Sequence, residues 1–341
     1  MVVLAFEGRY RDAWTMAIVH ELSWSTSRAR TFDSCRRKYY YDYYLSWLGW
    51  GRNADPERRE AYLLKKMTRM PMFAGDIVHR AIERYYSRRD QGQAMEADEA
   101  IQWAVTELRR GYKESRDGGW KARPAKSIRL GEHHYGEDRI DEASGEAGKY
   151  GKRYVERIKE SLTTFFEAPE LKDVREVEPG DWLACEEMST FELFDTKIFA
   201  IPDFAYIDRA ATRGGDSTRG DGSSGTAVRI VDWKTGAPRE ADRFQLEVYA
   251  FYARERWKVD PLRTTAVDVY LGDGSLAEVQ ITEEVLHGAL ARIESSLTEM
   301  KAVHFDADDS KGDAEAFPMV PEDEAARACS MCGYRELCDR V

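Results

Sequence analysis

The hydrophobic period of this chain changes near residue 180, and that change bounds the fold. Before it, apolar residues recur at three- and four-residue spacing; after it, short apolar or alternating runs take over. Ser25 and Ser27 can cap a helix through Arg36 to about residue 45. A second helix is expected from near Gly75 through Val78, Ile82 and Tyr85, and helical patterns cover residues 97–114 and 149–166. Residues 117–148 are rich in Gly, Lys, Glu and His and predict an irregular connection, with His133 and His134 on the surface. Strands are expected at residues 182–188, 190–194, 197–207, 228–234, 265–270 and 276–281, with helices over 242–257 and 283–303. Residues 209–227 hold five glycines among Ser, Thr and Asp and read as a long hairpin loop. Residues 305–324 read as an acidic, proline-containing linker. The expected architecture is α/β: a mixed sheet core flanked by helices, with a helical N-terminal portion. The expected divisions are an N-terminal segment (1–22), a helical part (23–178), a core (179–304) and a cysteine-rich tail (305–341).

Charge narrows the partners. The formal net charge is −11, yet residues 23–89 carry fifteen Lys and Arg against seven Asp and Glu. A basic third on an acidic body suggests a surface directed at an anion, although solvated helix faces give the same count. Arg28, Arg30, Arg36, Arg37, Lys38 and Tyr40 interleave cations with an aromatic belt, a composition suited to phosphate contacts and base stacking. The same tyrosines can equally pack the helix. No apolar run reaches the ~20 residues of a membrane helix, and no secretory pattern is legible near Met1, so a cytoplasmic location without membrane attachment is expected. No phosphate-binding G-x-x-x-x-G-K-[ST] loop occurs, so the chain holds no ATP-driven motor of that kind.

Two strands carry acids. Ile201-Pro202-Asp203 presents one carboxylate; Val231-Asp232-Trp233-Lys234 presents a second, with a lysine two residues on. Strand side chains alternate faces, so Asp232 and Lys234 share one face and Trp233 the other. Were the strands hairpin neighbours, Asp203 would lie beside Asp232. Two hard oxygen ligands suit Mg2+ or Mn2+, and a lysine there can stabilise a phosphodiester in reaction.

These residues, in this order, resemble the PD-(D/E)XK nucleases, and Gly75-x-x-x-His79, Ile201-Pro202-Asp203-Phe204, Ile230-Val231-Asp232-Trp233-Lys234-Thr235-Gly236 and Gln245-x-x-x-Tyr249 look like the RecB-type branch. The resemblance implies a restriction-endonuclease-like core and a metal held by His79, Asp203, Asp232 and the backbone carbonyl of Trp233. It makes Lys234 catalytic, and places Gln245 and Tyr249 toward the site, one helical turn apart. Glu186 or Glu187 corresponds to a further acidic position, with no basis in sequence for choosing.

Five cysteines, an odd number in a chain expected to be cytoplasmic, argue against a disulfide framework. Cys329-x2-Cys332-x5-Cys338 leaves a four-ligand site one short, and Cys35 is the natural fourth. Zinc fits that ligand number as well as an iron–sulfur cluster does. The resemblance favours [4Fe–4S], since an early cysteine plus a terminal C-x2-C-x5-C looks like the staple of AddB-type and CRISPR adaptation nucleases. Cys185 is expected to be a buried apolar residue. The implied function is a DNA exonuclease acting on single-stranded or free-ended DNA. It would serve recombination, repair, phage replication or CRISPR adaptation, with a helicase or integrase as partner. The alternative is a non-catalytic iron–sulfur DNA-binding scaffold.

Overall fold

The computed structural model describes residues 19–124, 126–186, 189–214 and 225–340. Ser25 caps α1 (Thr26–Ser34), its hydroxyl accepting from the Arg28 amide at 3.1 Å. The backbone then turns extended at Cys35 (φ −165°, ψ 111°), and α2 (Arg36–Tyr40) restarts with the Cys35 sulfur accepting from the Lys38 amide. The expected single helix is therefore two, followed by a π-helical turn over Tyr41–Leu45. A helix that the sequence reading missed, α3 (Pro56–Lys65), starts on an Asp55 cap with Pro56 in its first turn. Next come α4 (Met70–Asp90), α5 (Ala97–Arg116), the short α6 (Gly131–His134) inside the expected irregular segment, α7 (Glu146–Glu167) and α8 (Lys172–Glu176).

Strand β1 (Ser23–Trp24) joins β4 (Thr196–Ala200) and β3 (Ser189–Leu193) in a small sheet, order β1-β4-β3. The main sheet has the order β2-β5-β6-β7-β8, from β2 (Trp182–Cys185), β5 (Phe204–Ile207), β6 (Val228–Lys234), β7 (Thr264–Tyr270) and β8 (Ser275–Gln280). The strand expected over 197–207 breaks at 201–203, because Pro202 has no N–H to give a ladder. Its halves enter different sheets. The expected loop 209–227 opens with α9 (Arg209–Gly214); residues 215–224 of it lie outside the described residues. Helices α10 (Glu240–Tyr252), α11 (Glu283–Ala302) and α12 (Glu322–Ala328) complete the chain. Among the described residues no helix is long and apolar enough to cross a membrane.

The main sheet is covered on both faces, as a mixed sheet with a parallel pair requires. Val228, Ile230 and Ala266 face one apolar cluster with α10 and α11; Val231, Trp233, Val267 and Val269 face another with α4, α5 and α7. Both clusters cross the division expected at 178/179, and the first also crosses that at 304/305, so the helical part is one layer of the sheet's own core. Residues 305–317 are not a free linker. Phe317, 1% exposed, packs against Tyr39, Tyr40, Tyr44 and Phe305, and the Arg58 guanidinium donates to the Ala307 and Ser310 carbonyls.

Candidate active site

Antiparallel pairing of β5 with β6 sets Phe204 opposite Val231, which brings Asp203 to the end of β6 where Asp232 stands. The Asp203 carboxylate accepts from the Trp233 amide at 2.6 Å, tying the break after β4 to the next strand. Alternation along β6 sends the Trp233 ring into the helical layer, edge-on to Phe165, and leaves Asp232 and Lys234 facing α10. One oxygen of Asp232 lies 2.5 Å from Lys234 Nζ. The other accepts from Gln245 Nε2 at 2.9 Å and lies 2.8 Å from the Tyr249 hydroxyl. That hydroxyl also lies 2.9 Å from the Ile201 carbonyl, so Tyr249 spans the two acid-bearing segments with one proton to give.

Helix α4 supplies the facing wall. Gly75 sits where a Cβ would stand 3.0 Å from the Thr235 hydroxyl, so a side chain there would press on the β6 end. One turn later His79 Nδ1 lies 3.4 Å from Asp203 Oδ2 and 3.2 Å from Glu186 Oε1. Ligand atoms of His79, Glu186 and Asp203 all fall within 4.8 Å of one another. Glu186 follows β2 at φ +50°, a left-handed conformation that a non-glycine residue adopts at a cost and that recurs at functional sites. Of the two glutamates weighed in sequence, Glu186 is at the site; Glu187 lies outside the described residues.

The charges are crowded. Burial, then repulsion from Asp232, lifts the Asp203 carboxyl to about 6 against the pull of His79. Burial disfavours protonated His79, but Asp203 and Glu186 outweigh it and hold the imidazole well above its ordinary value. A carboxylate cluster with one imidazole, short of positive charge, fits a hard divalent cation of the Mg2+ or Mn2+ kind.

Sequence reasoning missed Asp268. Parallel pairing of β6 with β7 sets Asp268 level with Asp232, and its Oδ1, 3.5 Å from Lys234 Nζ, has no hydrogen-bond partner among the described residues. The residue is 1% exposed, and burial lifts its carboxyl to about 7 although Lys234 pulls it down. An acid inside an otherwise apolar strand was the available signal, since Asp is depleted there.

The cleft around these groups encloses about 1000 Å3 and is also lined by Arg30, Arg157 and Arg239. None of those three arginines makes an ion pair among the described residues. Of the six basic and aromatic residues expected to meet nucleic acid, only Arg30 lines this cleft. Arg28 lies 4.4 Å over the Tyr43 ring, and Arg36 lies over Phe32 and pairs with Glu299. Arg37 is buried, donating to the Phe317 carbonyl and Glu315; the buried Tyr40 donates to the Lys311 carbonyl. All four thus have partners elsewhere in the protein, Arg37 and Tyr40 in residues 311–317. Lys38 lines a different cavity. His133 and His134 are half-buried rather than on the surface, His133 edge-on to Tyr112 and His134 beside Glu336.

That second cavity, about 220 Å3, gathers Cys35, Cys329, Cys332 and Cys338. The Tyr334 amide donates to the Cys332 sulfur at 3.4 Å, Arg340 lies 3.8 Å from the Cys329 sulfur, and the Tyr41 hydroxyl lies 3.7 Å from that of Cys338. Among the described residues no three of these sulfurs fall within 4.8 Å of one another. Cys185 ends β2 away from this cavity and is half-buried.

No curated protein matches the chain. The model of the PD-(D/E)XK nuclease superfamily matches residues 23–339, nearly the whole length, and the chain belongs to that superfamily.

Proposed function

We propose that this protein is a Mg2+- or Mn2+-dependent DNA exonuclease acting on single-stranded or free-ended DNA, with a [4Fe–4S] cluster on Cys35, Cys329, Cys332 and Cys338. Superfamily membership makes it a metal-dependent nuclease; the end preference and the cluster are our reading. The carrying observation is the convergence of His79, Glu186 and Asp203 on one point beside the Asp232–Lys234 pair. His79, Asp203, Asp232 and the Trp233 carbonyl would hold the metal, with Glu186 close enough to join them. Bound there, it would lower the pKa of a water and polarise a phosphoryl oxygen. The protein's own groups do the rest. Lys234 places a full positive charge where the phosphate gains negative charge. Gln245 and Tyr249 fix the Asp232 carboxylate, and Arg30, Arg157 and Arg239 line the path of the substrate phosphates. The gathering of all four cysteines around one cavity supports a four-thiolate site there. Its setting would be end processing in recombination, repair, phage replication or CRISPR adaptation, beside a helicase or integrase.

The test compares wild type with Asp232→Ala on labelled linear, end-blocked and circular single strands in Mn2+. Cleavage of linear but not circular strands, lost in the variant, is expected. Cleavage that survives the substitution would sink the site, and equal cleavage of circles would sink the exonuclease reading. Iron and sulfide in anaerobically purified protein support the cluster; zinc without iron overturns it.

A further inference from the structure

On the outer side of the helical layer, α5 and α7 enclose a groove of about 510 Å3 that the nuclease site does not use. Its rims carry Arg109 and Lys113 from α5, and Lys152 and Lys159 from α7. Arg109, Lys113 and Lys152 are exposed and make no ion pair or side-chain hydrogen bond among the described residues. The one acid lining the groove, Glu156, lies 3.5 Å from Lys159. Two glycines of α7, Gly148 and Gly151, also line it, and a Cβ at either would meet nothing within 4 Å. No packing inside the protein therefore calls for glycine, which weakens a helix more than any residue but proline. Bare backbone between cations lets another backbone approach closely.

The groove adjoins the active cleft on two elements. Met70 lines the groove, while Pro71 and Met72, the next residues of α4, line the cleft. On α7, Val155 and Lys159 line the groove while Arg157 lines the cleft. From Gly148 to Lys159 the helix advances about 16 Å, room for roughly four stacked nucleotide steps.

We infer that this groove is a second nucleic-acid site, which takes the sugar–phosphate backbone of a single strand over Gly148 and Gly151 and leads it to the cleft. The inference rests on the nuclease reading for its direction but not for its binding. Charge complementarity and continuity with the cleft point to a polyanionic strand as the occupant.

The test is binding of a fluorescein-labelled single-stranded 20-mer, by anisotropy across a salt series in EDTA, so that no cleavage intervenes. Arg109→Glu/Lys113→Glu/Lys152→Glu is expected to weaken binding at least tenfold. It should also flatten the slope of log affinity against log salt by about two, from three lost phosphate contacts. Gly151→Leu keeps every charge and introduces a better helix former; it is expected to weaken binding with no loss of thermal midpoint. Cleavage of a hexanucleotide, short enough to sit in the cleft alone, should stay within twofold in both variants. Unchanged affinity and slope in the charge variant overturn the site. Weakened binding there with wild-type binding by Gly151→Leu overturns it too, since cations alone would then account for the effect. A protein that binds as expected yet cleaves nothing in Mn2+ keeps this inference and overturns the nuclease reading.

Discussion

Lys234 Nζ lies 3.5 Å from Oδ1 of Asp268, a buried carboxylate on the neighbouring strand whose near oxygen has no hydrogen-bond partner among the described residues. The ammonium is thus held between Asp232 on its own strand and Asp268 on the next. A metal drawing on Asp232 would leave Asp268 as the remaining anchor of that charge.

Asp268→Asn keeps the shape and removes the anchor. We expect single-turnover cleavage to slow about tenfold, near 1.4 kcal/mol of transition-state stabilisation, with KM and Mn2+ affinity within twofold. The urea midpoint should hold or rise, because a buried, incompletely paired carboxylate is costly. A parallel fall in stability and activity would make Asp268 merely structural.

The raised Asp203 carboxyl gives a pH dependence of known sign. Its folded value, about 6, exceeds the ordinary 3.8. In metal-free protein its contribution is therefore fully present below pH 3.8 and is lost as pH rises through about 6. The gap corresponds to something on the order of 3 kcal/mol. Asp203→Asn should accordingly stabilise chelated protein at pH 8 and not at pH 3.5, measured by urea unfolding. Mn2+ should raise the thermal midpoint of wild type at pH 8, with a gain that shrinks below pH 6 as protons compete for the same oxygen.

Tyr249→Phe removes the hydroxyl shared by Asp232 and the Ile201 carbonyl. Leaving buried acceptors unmet costs about 1–3 kcal/mol. We expect that loss in unfolding free energy, together with a five- to thirty-fold slower cleavage. Wild-type stability in the variant would mean that the hydroxyl does not tie the two segments together.

The cysteines separate by position. Cys338→Ser should abolish bound iron and lower the thermal midpoint, whereas Cys185→Ser, outside the cavity, should leave iron content unchanged. Equal iron loss in both variants would contradict the assignment of four ligands.

Phe317→Ala tests whether the C-terminal segment belongs to the core. Its ring packs among Tyr39, Tyr40, Tyr44 and Phe305. Truncation of such a residue costs about 3–5 kcal/mol, whereas a residue in a free linker would cost almost nothing in a denaturation curve.

By itself the sequence determined what depends on local geometry. The period-two pattern of β6 set Asp232 and Lys234 on one face and Trp233 on the other, and the four-residue step from Gln245 to Tyr249 stacked them on one side of α10. Pro202 was legible as well, yet what it does, splitting one expected strand between two sheets, depends on which neighbours offer a ladder. Only the tertiary structure decided which elements meet. It placed Asp268 beside Lys234 through a parallel pairing, and put Glu186 against His79. It engaged Arg37 and Tyr40 with residues 311–317, and Arg28 and Arg36 with Tyr43, Phe32 and Glu299, while Arg157 and Arg239 came to the cleft. Periodicity reports the direction a side chain leaves its own backbone. It carries no information on the distant surface that side chain will find, and the His79–Glu186–Asp203 group and the arginine-lined cleft are both built from such encounters.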